Sequence, residues 1–364
     1  MKVAIVHYWL VNMRGGEKVV EALCELFPEA DIFTHVYEPS AVSDTINRHR
    51  VRTSFIQRLP WSKRLYQRYL AFMPLALEQL DLRGYGLVIS SESGPAKGVI
   101  VSSDTLHICY CHSPMRYAWD MYHDYIDTVG PITRLFMRPI MHYMRLWDFA
   151  SASRVDHIIT NSNFVANRIR KHYRRDAQVI YPPVDTRAFT MSNERGDFYL
   201  IVGQLVAYKR TDLAVHAFNE TGKPLVVIGD GAQLPLLKKL AKLNITLLGR
   251  QPFSVIRNHY ARCRALIFPG EEDFGIVPVE AMASGRPVIA FRRGGALETV
   301  VDRVTGLFFD RQDPDSLVEA LERYERMEAQ FEPERIAQHA RTFDRCRFKE
   351  RMQYTIERLL QGRL

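Results

Sequence analysis

Cysteine is scarce in this chain: five among 364 residues, an odd number, with no C-x2-C pair. That argues against a disulfide framework and a structural zinc site, and it points to a reduced, cytoplasmic setting. Long apolar runs are missing too. None approaches the ~20 residues that a membrane span needs. The opening M-K-V-A-I-V-H-Y-W reads as a strand rather than a signal peptide, having neither a long apolar core nor a small-residue cleavage site. No G-x-G-x-x-G follows the first strand of either half of the chain, which weakens a dinucleotide-dependent dehydrogenase reading.

Acidic residues vanish from two stretches. Between Asp44 and Glu78 there is none, while Arg48, Arg50, Arg52, Arg58, Lys63, Arg64 and Arg68 alternate with Phe55, Trp61, Tyr66, Tyr69 and Phe72. From Val129 to Trp147, Arg134, Arg138 and Arg145 stand among Phe136, Met137, Ile140, Met141, Tyr143 and Met144. The net charge of +8 suits nucleic acid, an anionic membrane or an anionic small substrate. Its distribution decides between them: basic side chains interleaved with aromatics suit peripheral contact with an anionic membrane, and no nucleic-acid partner is expected. Two amphipathic helices packed on their domain, with a solvated basic face, account for the same pattern.

What the chain does contain is enough apolar residue, 47%, and enough length for two α/β domains. Short apolar runs closed by turn residues mark buried parallel strands at 2–7, 31–36, 87–90, 106–111 and 155–160, then at 198–202, 225–228, 245–248, 265–268 and 288–291. The basic-aromatic region after 31–36 is expected to be helical. Tyr181-Pro182-Pro183-Val184 is the expected boundary, since adjacent prolines end a strand. Asp313-Pro314-Asp315 spells a D-x-D metal motif but reads as a helix cap with proline at the first helical position.

The stretch from Arg264 to Thr299 carries the chemistry. After the 265–268 strand, Pro269-Gly270 turns the chain, and Gly275 and Pro278 open a helix that Gly285 and Pro287 close. Glu272 precedes this helix and Glu280 lies in its early turns. The N–H groups of Phe274, Gly275 and Ile276 at the helix start form an anion site suited to phosphate. The two carboxylates can each accept hydrogen bonds from neighbouring hydroxyls. A sugar, a diphosphate and a ribose fit that combination. In the first half, Gly15 and Gly16 precede a helix expected near Glu17 and let a ligand approach the backbone. His112 ends the 106–111 strand, where open α/β sheets place ligands; His7, His107 and His157 read as histidines satisfied by local hydrogen bonds.

The string E-D-F-G-I-V-P-V-E-A-M-A-S-G-R-P-V-I-A closely resembles the donor-site signature of the retaining family-4 glycosyltransferases, R-G-G-E-K-V-V resembles that family's glycine loop after the first strand, and C-H-S-P-M-R-Y-A-W-D resembles its O-antigen and polysaccharide mannosyltransferase branch. It implies a GT-B α/β fold, two Rossmann-like parallel-sheet domains facing across a cleft. They are expected at 1–182, completed by a C-terminal helix at about 348–364, and at 183–347. By the resemblance, Glu272 holds the donor sugar, Glu280 the ribose, Gly15 and Gly16 cover the diphosphate, and His112 stands opposite the sugar. Lys209 matches a family lysine that neutralises the diphosphate, while Gln204 stands where the family commonly has arginine. Arg210 is the candidate to compensate, and Arg250 is expected near the nucleotide. Arg116, Trp119 and Asp120 are candidates for the acceptor side, or else a packed helix start.

The implied reaction transfers a hexosyl group with retention from a nucleotide sugar, GDP-mannose by branch, to a glycan or lipid-linked glycan acceptor in cell-surface polysaccharide synthesis. No metal or other cofactor is expected. The alternatives are a nucleotide-sugar epimerase of the same fold, or a catalytically silent nucleotide-sugar-binding subunit of a polysaccharide assembly complex. The expected location is the cytoplasm, peripheral on the inner face of its membrane.

Overall fold

The computed structural model of the protein describes residues 1–362. It falls into two compact units, one of Met1–Pro183 together with the residues from Phe348 on, the other of Val184–Arg347. The last two residues of the expected terminal helix, Arg363 and Leu364, lie outside the described residues.

The first unit is built on seven parallel strands: β1 (Val3–His7), β2 (Asp31–Thr34), β3 (Val51–Thr53), β4 (Leu87–Glu92), β5 (Leu106–Cys111), β6 (His157–Thr160) and β7 (Gln178–Val179). Their order is β3-β2-β1-β4-β5-β6-β7. Central strands such as Val-Ala-Ile-Val-His and Leu-His-Ile-Cys-Tyr-Cys are buried at every position, as a sheet covered on both faces requires. On one face, Val19, Val20 and Leu23 of the Gly15–Leu26 helix pack with Ile5, Ile89 and Ile108. Phe348, Met352 and Ile356 of the Arg345–Gln361 helix join that cluster. On the other face, Met141, Met144 and Trp147 of the Pro131–Ala152 helix cover Val6 and Val88.

The second unit has six parallel strands, β8 (Tyr199–Val202), β9 (Leu225–Ile228), β10 (Ile245–Gly249), β11 (Leu266–Phe268), β12 (Val288–Phe291) and β13 (Gly306–Phe309), in the order β10-β9-β8-β11-β12-β13. Strand order reverses direction at β1/β4 in one sheet and at β8/β11 in the other. At such switch points the loops leaving the strand ends diverge and open a crevice for ligands.

Two elements differ from expectation. The first basic-aromatic stretch is helical only in part: Val51–Thr53 pairs with β2 as an edge strand, and the remainder is short helical segments such as Ser62–Leu65, Tyr66–Phe72 and Met73–Glu78. On this edge Arg52 is half-buried and Thr53 is open to solvent, which gives the strand its polar character. Gly306–Phe309 is a strand that went unassigned in the sequence; it pairs with β12 from Val288↔Gly306 to Phe291↔Phe309. The second acid-free stretch does lie in one helix, Pro131–Ala152, with Pro139 inside it.

Candidate functional site

Each unit carries a cluster of site residues at its switch point. In the second unit, the ends of β8 and β11 form a small, open pocket whose lining includes Gly203, Gln204, Lys209, Gly270 and Glu272. Lys209 Nζ meets Glu272 Oε1 at 2.9 Å, both side chains mostly covered. Burial disfavours the ammonium, yet the Glu272 carboxylate outweighs it, and the Lys209 pKa is raised. A lysine that stays charged in a concave pocket is a ready anion partner. Gly270 permits the arrangement: a Cβ there would come within 2.8 Å of Lys209 Cα.

The loop carrying Glu272 is clamped from behind. Gly295 N donates to Glu272 O at 2.8 Å, and a Cβ on Gly295 would lie 2.2 Å from Phe274 Cα. Gly275, at φ +89°, is the N-cap of the Ile276–Ala283 helix. This left-handed turn suits glycine. The ring of Phe274 is buried, whereas Ile276 is half-buried at the helix start. Glu280, in the second turn, accepts a hydrogen bond from Tyr260 Oη at 2.9 Å. The carboxylate is thereby held in one orientation with further acceptor capacity.

In the first unit, Gly15 and Gly16 form the first turn of their helix rather than preceding it. Gly16 packs closely: a Cβ there would lie 2.8 Å from Tyr8 Oη and 3.6 Å from His112 Nε2. His112 N donates to Glu92 O at 2.7 Å as the chain leaves β5. His112 Nε2 lies 2.8 Å from Ser91 Oγ. Burial, with a smaller contribution from His7, pushes the His112 pKa down to about 3, so the imidazole is neutral at physiological pH.

Several expected site residues are engaged elsewhere. Arg210 faces Asp212 at 3.3 Å and Gln312 at 3.5 Å, drawn there by the acid two residues on, and does not line the pocket. Lys209 is the pocket's basic lining residue, and Gln204 lies on its exposed rim. Arg250 is exposed beyond β10. Trp119 Nε1 donates to the buried Asp148 at 2.7 Å, and its ring stacks on His172. Asp120 pairs with Arg168 at 3.0 Å and His172 at 2.9 Å on the Asn163–Tyr173 helix. These contacts hold Trp119 and Asp120 in a packed turn just ahead of the Tyr122–Asp127 helix. Arg116 is half-buried in the same turn. Asp313 caps the Pro314–Met327 helix, its carboxylate accepting from Ser316 N at 2.8 Å. The sequence reading missed Gly295 and Tyr260. The Gly294-Gly295 pair after a strand was the only available signal for the first; nothing local marks the second.

Set beside known proteins, residues 13–188 match the family model described as Glycosyltransferase Family 4, and residues 185–343 match that of Glycosyl transferases group 1. The chain belongs to the family-4 glycosyltransferases. An uncharacterized glycosyltransferase of Methanocaldococcus jannaschii is 34% identical over 173 residues, 46% of this chain and 48% of that protein. The alpha-1,3/1,6-mannosyltransferase ALG2 of Saccharomyces cerevisiae is 28% identical over 264 residues, 57% of this chain and 50% of that one. The chain thus spans about half the length of these curated relatives. Among solved structures, Anabaena HepE in complex with UDP and glucose superposes with a TM-score of 0.69 at 15% identity, covering 98% of this chain and 99% of that one. The fold is of the GT-B type.

Proposed function

We propose that this protein is a retaining glycosyltransferase that moves a hexosyl group, mannose from GDP-mannose, to a glycan or lipid-linked glycan in cell-surface polysaccharide synthesis. The observation that carries the reading is the Lys209–Glu272 pair at the mouth of the β8/β11 pocket. It sets a cation suited to a diphosphate beside a carboxylate suited to sugar hydroxyls. Glu280 takes the ribose hydroxyls and the start of the Ile276–Ala283 helix supplies N–H donors. As the glycosidic bond breaks, negative charge builds on the diphosphate, and Lys209 stabilises it without a resident metal. In the first unit, Gly16 and neutral His112 act at the diphosphate and the sugar. Front-face attack fits these roles, since none of these side chains is assigned as a covalent nucleophile. The mannosyl choice rests on the branch resemblance and on the mannosyltransferase named above.

The Pro131–Ala152 helix supports the membrane part of the proposal. Ile132, Leu135, Phe136, Tyr143, Leu146 and Phe149 are all exposed and recur along one face, with exposed Arg138 nearby. No helix among the described residues is long and apolar enough to cross a membrane. A surface-lying helix at an anionic inner leaflet, where a lipid-linked acceptor is presented, accounts for the stripe.

The test is incubation of the full chain with GDP-mannose, other GDP-hexoses and UDP-hexoses, following nucleoside diphosphate release and product mass. GDP-mannose should be turned over fastest. Release from none of them overturns the proposal. A second reading, a binding subunit without catalysis, is favoured by Gln204, which leaves the pocket without the family's usual arginine. Tight nucleotide-sugar binding without turnover, with activity gained only in Gln204→Arg, would establish it.

A further inference from the structure

Behind His112 runs a chain of polar groups from three separate elements. His112 Nε2 lies 2.8 Å from Ser91 Oγ, Ser91 Oγ lies 3.1 Å from His7 Nδ1, and His7 Nε2 lies 3.9 Å from Glu17 Oε1. His7 and Ser91 are register partners on β1 and β4, and both are fully buried. Glu17 is also buried, its other oxygen fixed by Arg14 N at 2.9 Å in the first helical turn. Gly16 closes over the chain, since a Cβ there would approach His7 Cε1 to 3.4 Å.

We propose that Glu17, His7 and Ser91 are positioning residues that fix His112 as its Nε2–H tautomer, leaving Nδ1 as a bare acceptor for a substrate hydroxyl. The inference rests on the reading that His112 meets the donor sugar. A serine hydroxyl has one proton to donate and lone pairs to accept, so with neutral rings the chain has two proton registers. In one, His7 Nδ1–H donates to Ser91, Ser91 donates to His112 Nε2, and His112 carries its proton on Nδ1. In the other, His112 Nε2–H donates to Ser91, Ser91 donates to His7 Nδ1, and His7 carries its proton on Nε2.

Glu17 chooses between them. His7 Nε2 has no hydrogen-bond partner, and the nearby charge is a carboxylate, which attracts an N–H dipole and repels a bare nitrogen lone pair. At 3.9 Å this is charge acting on a dipole rather than a hydrogen bond, and burial keeps it unscreened. The second register is therefore favoured, and the orientation of the whole chain is passed to His112. With Nε2 already engaged, Nδ1 is the ring nitrogen left for a ligand, and it accepts rather than donates. Hydroxyl-bearing substrates supply the matching donor.

The experiment is long-range proton–nitrogen NMR of the full chain labelled at histidine nitrogen, which reads the protonated ring nitrogen directly and needs no substrate. In wild type, both His7 and His112 should carry the proton on Nε2. Ser91→Ala should leave His112 as a mixture of tautomers and lower kcat about tenfold, the loss of one aligned hydrogen bond, with donor KM within about twofold. Ser91→Thr keeps the hydroxyl and should restore both readouts. Glu17→Gln should mix the His7 tautomers. An Nδ1–H His112, a doubly protonated His7, or tautomers unchanged in Ser91→Ala or Glu17→Gln would each overturn the proposal. His112→Ala tests the underlying reading separately: full turnover there removes His112 from the reaction whatever the tautomers show.

Discussion

At the scale of single residues, the second unit's pocket concentrates its charge on one contact. Removing Lys209 takes away the cation and also leaves Glu272 without its partner, so Lys209→Ala should be severe. Because the diphosphate is most negative in the transition state, kcat/KM should fall by about 10²–10³, more than ground-state donor affinity weakens. Steady-state kinetics beside calorimetric donor binding checks this; equal losses in both would make Lys209 a simple binding residue. Glu280 divides its capacity between Tyr260 and the expected ribose. Glu280→Ala should weaken nucleoside diphosphate binding by ~1.5–3 kcal/mol, the worth of a hydrogen bond to a charged group. It also leaves the buried Tyr260 hydroxyl unpaired, so Tm should drop as well. Tyr260→Phe removes that hydroxyl and is the control: it should keep most of the binding and lose less stability than Glu280→Ala. Binding unchanged in Glu280→Ala would take Glu280 out of the site.

At the scale of elements, the Pro131–Ala152 helix presents its Met141, Met144 and Trp147 face to the core and leaves Ile132, Leu135, Phe136 and Tyr143 exposed. Vesicles containing anionic lipid should carry the protein in a flotation assay at low salt, since each basic residue near such a surface contributes ~1 kcal/mol. Leu135→Gln with Phe136→Gln should return it to the soluble fraction; flotation unaffected by this pair would assign binding to another surface. This face also shows where sequence pattern stops being informative. The aromatic and basic content was legible, but which apolar side chains face water was not, because the helix has apolar residues on more than its core face. Strands were legible where both faces are buried, as at 106–111, because a continuous apolar run has one reading there. The edge strand Val51–Thr53 was not, because Arg52 and its basic neighbours outweigh three residues of β pattern. The site divided the same way. Lys209, Glu272 and Glu280 sit in linear motifs. The Ser91 link to His7 and His112 arises from strand register and joins residues 84 and 21 positions apart.

At the scale of the whole molecule, the two units differ in how they should respond to acid and to truncation. Burial lowers the pKa of His35 and of His107 to about 4, and both lie in the first unit. An unfolded histidine takes its proton near 6.5, so between about 6.5 and 4 the unfolded chain binds more protons than the folded one. The stabilising contribution is full above that window and is lost as pH falls through it, by roughly 3 kcal/mol for each of these rings. His112, whose pKa burial lowers to about 3, contributes with the same sign. Hydrogen exchange at pH 7 and pH 5 should therefore show β1–β7 losing protection before β8–β13; equal loss in both sheets would contradict the assignment. The terminal helix separates the units more sharply. Phe348, Met352 and Ile356 are buried in the first unit's core although the preceding segment in sequence belongs to the second. Ending the chain at Arg347 removes three side chains worth ~1.5–3 kcal/mol each, together comparable with the ~5–15 kcal/mol by which a domain is stable. Protection should collapse across β1–β7 and persist in β8–β13, where the pocket and its Lys209–Glu272 pair are built without the helix. The truncated chain should then still bind a nucleoside diphosphate, detected by calorimetry, while transferring no sugar. If β1–β7 stay protected after truncation, the helix is not part of that core, and the division of the chain into a discontinuous first unit and a continuous second one fails.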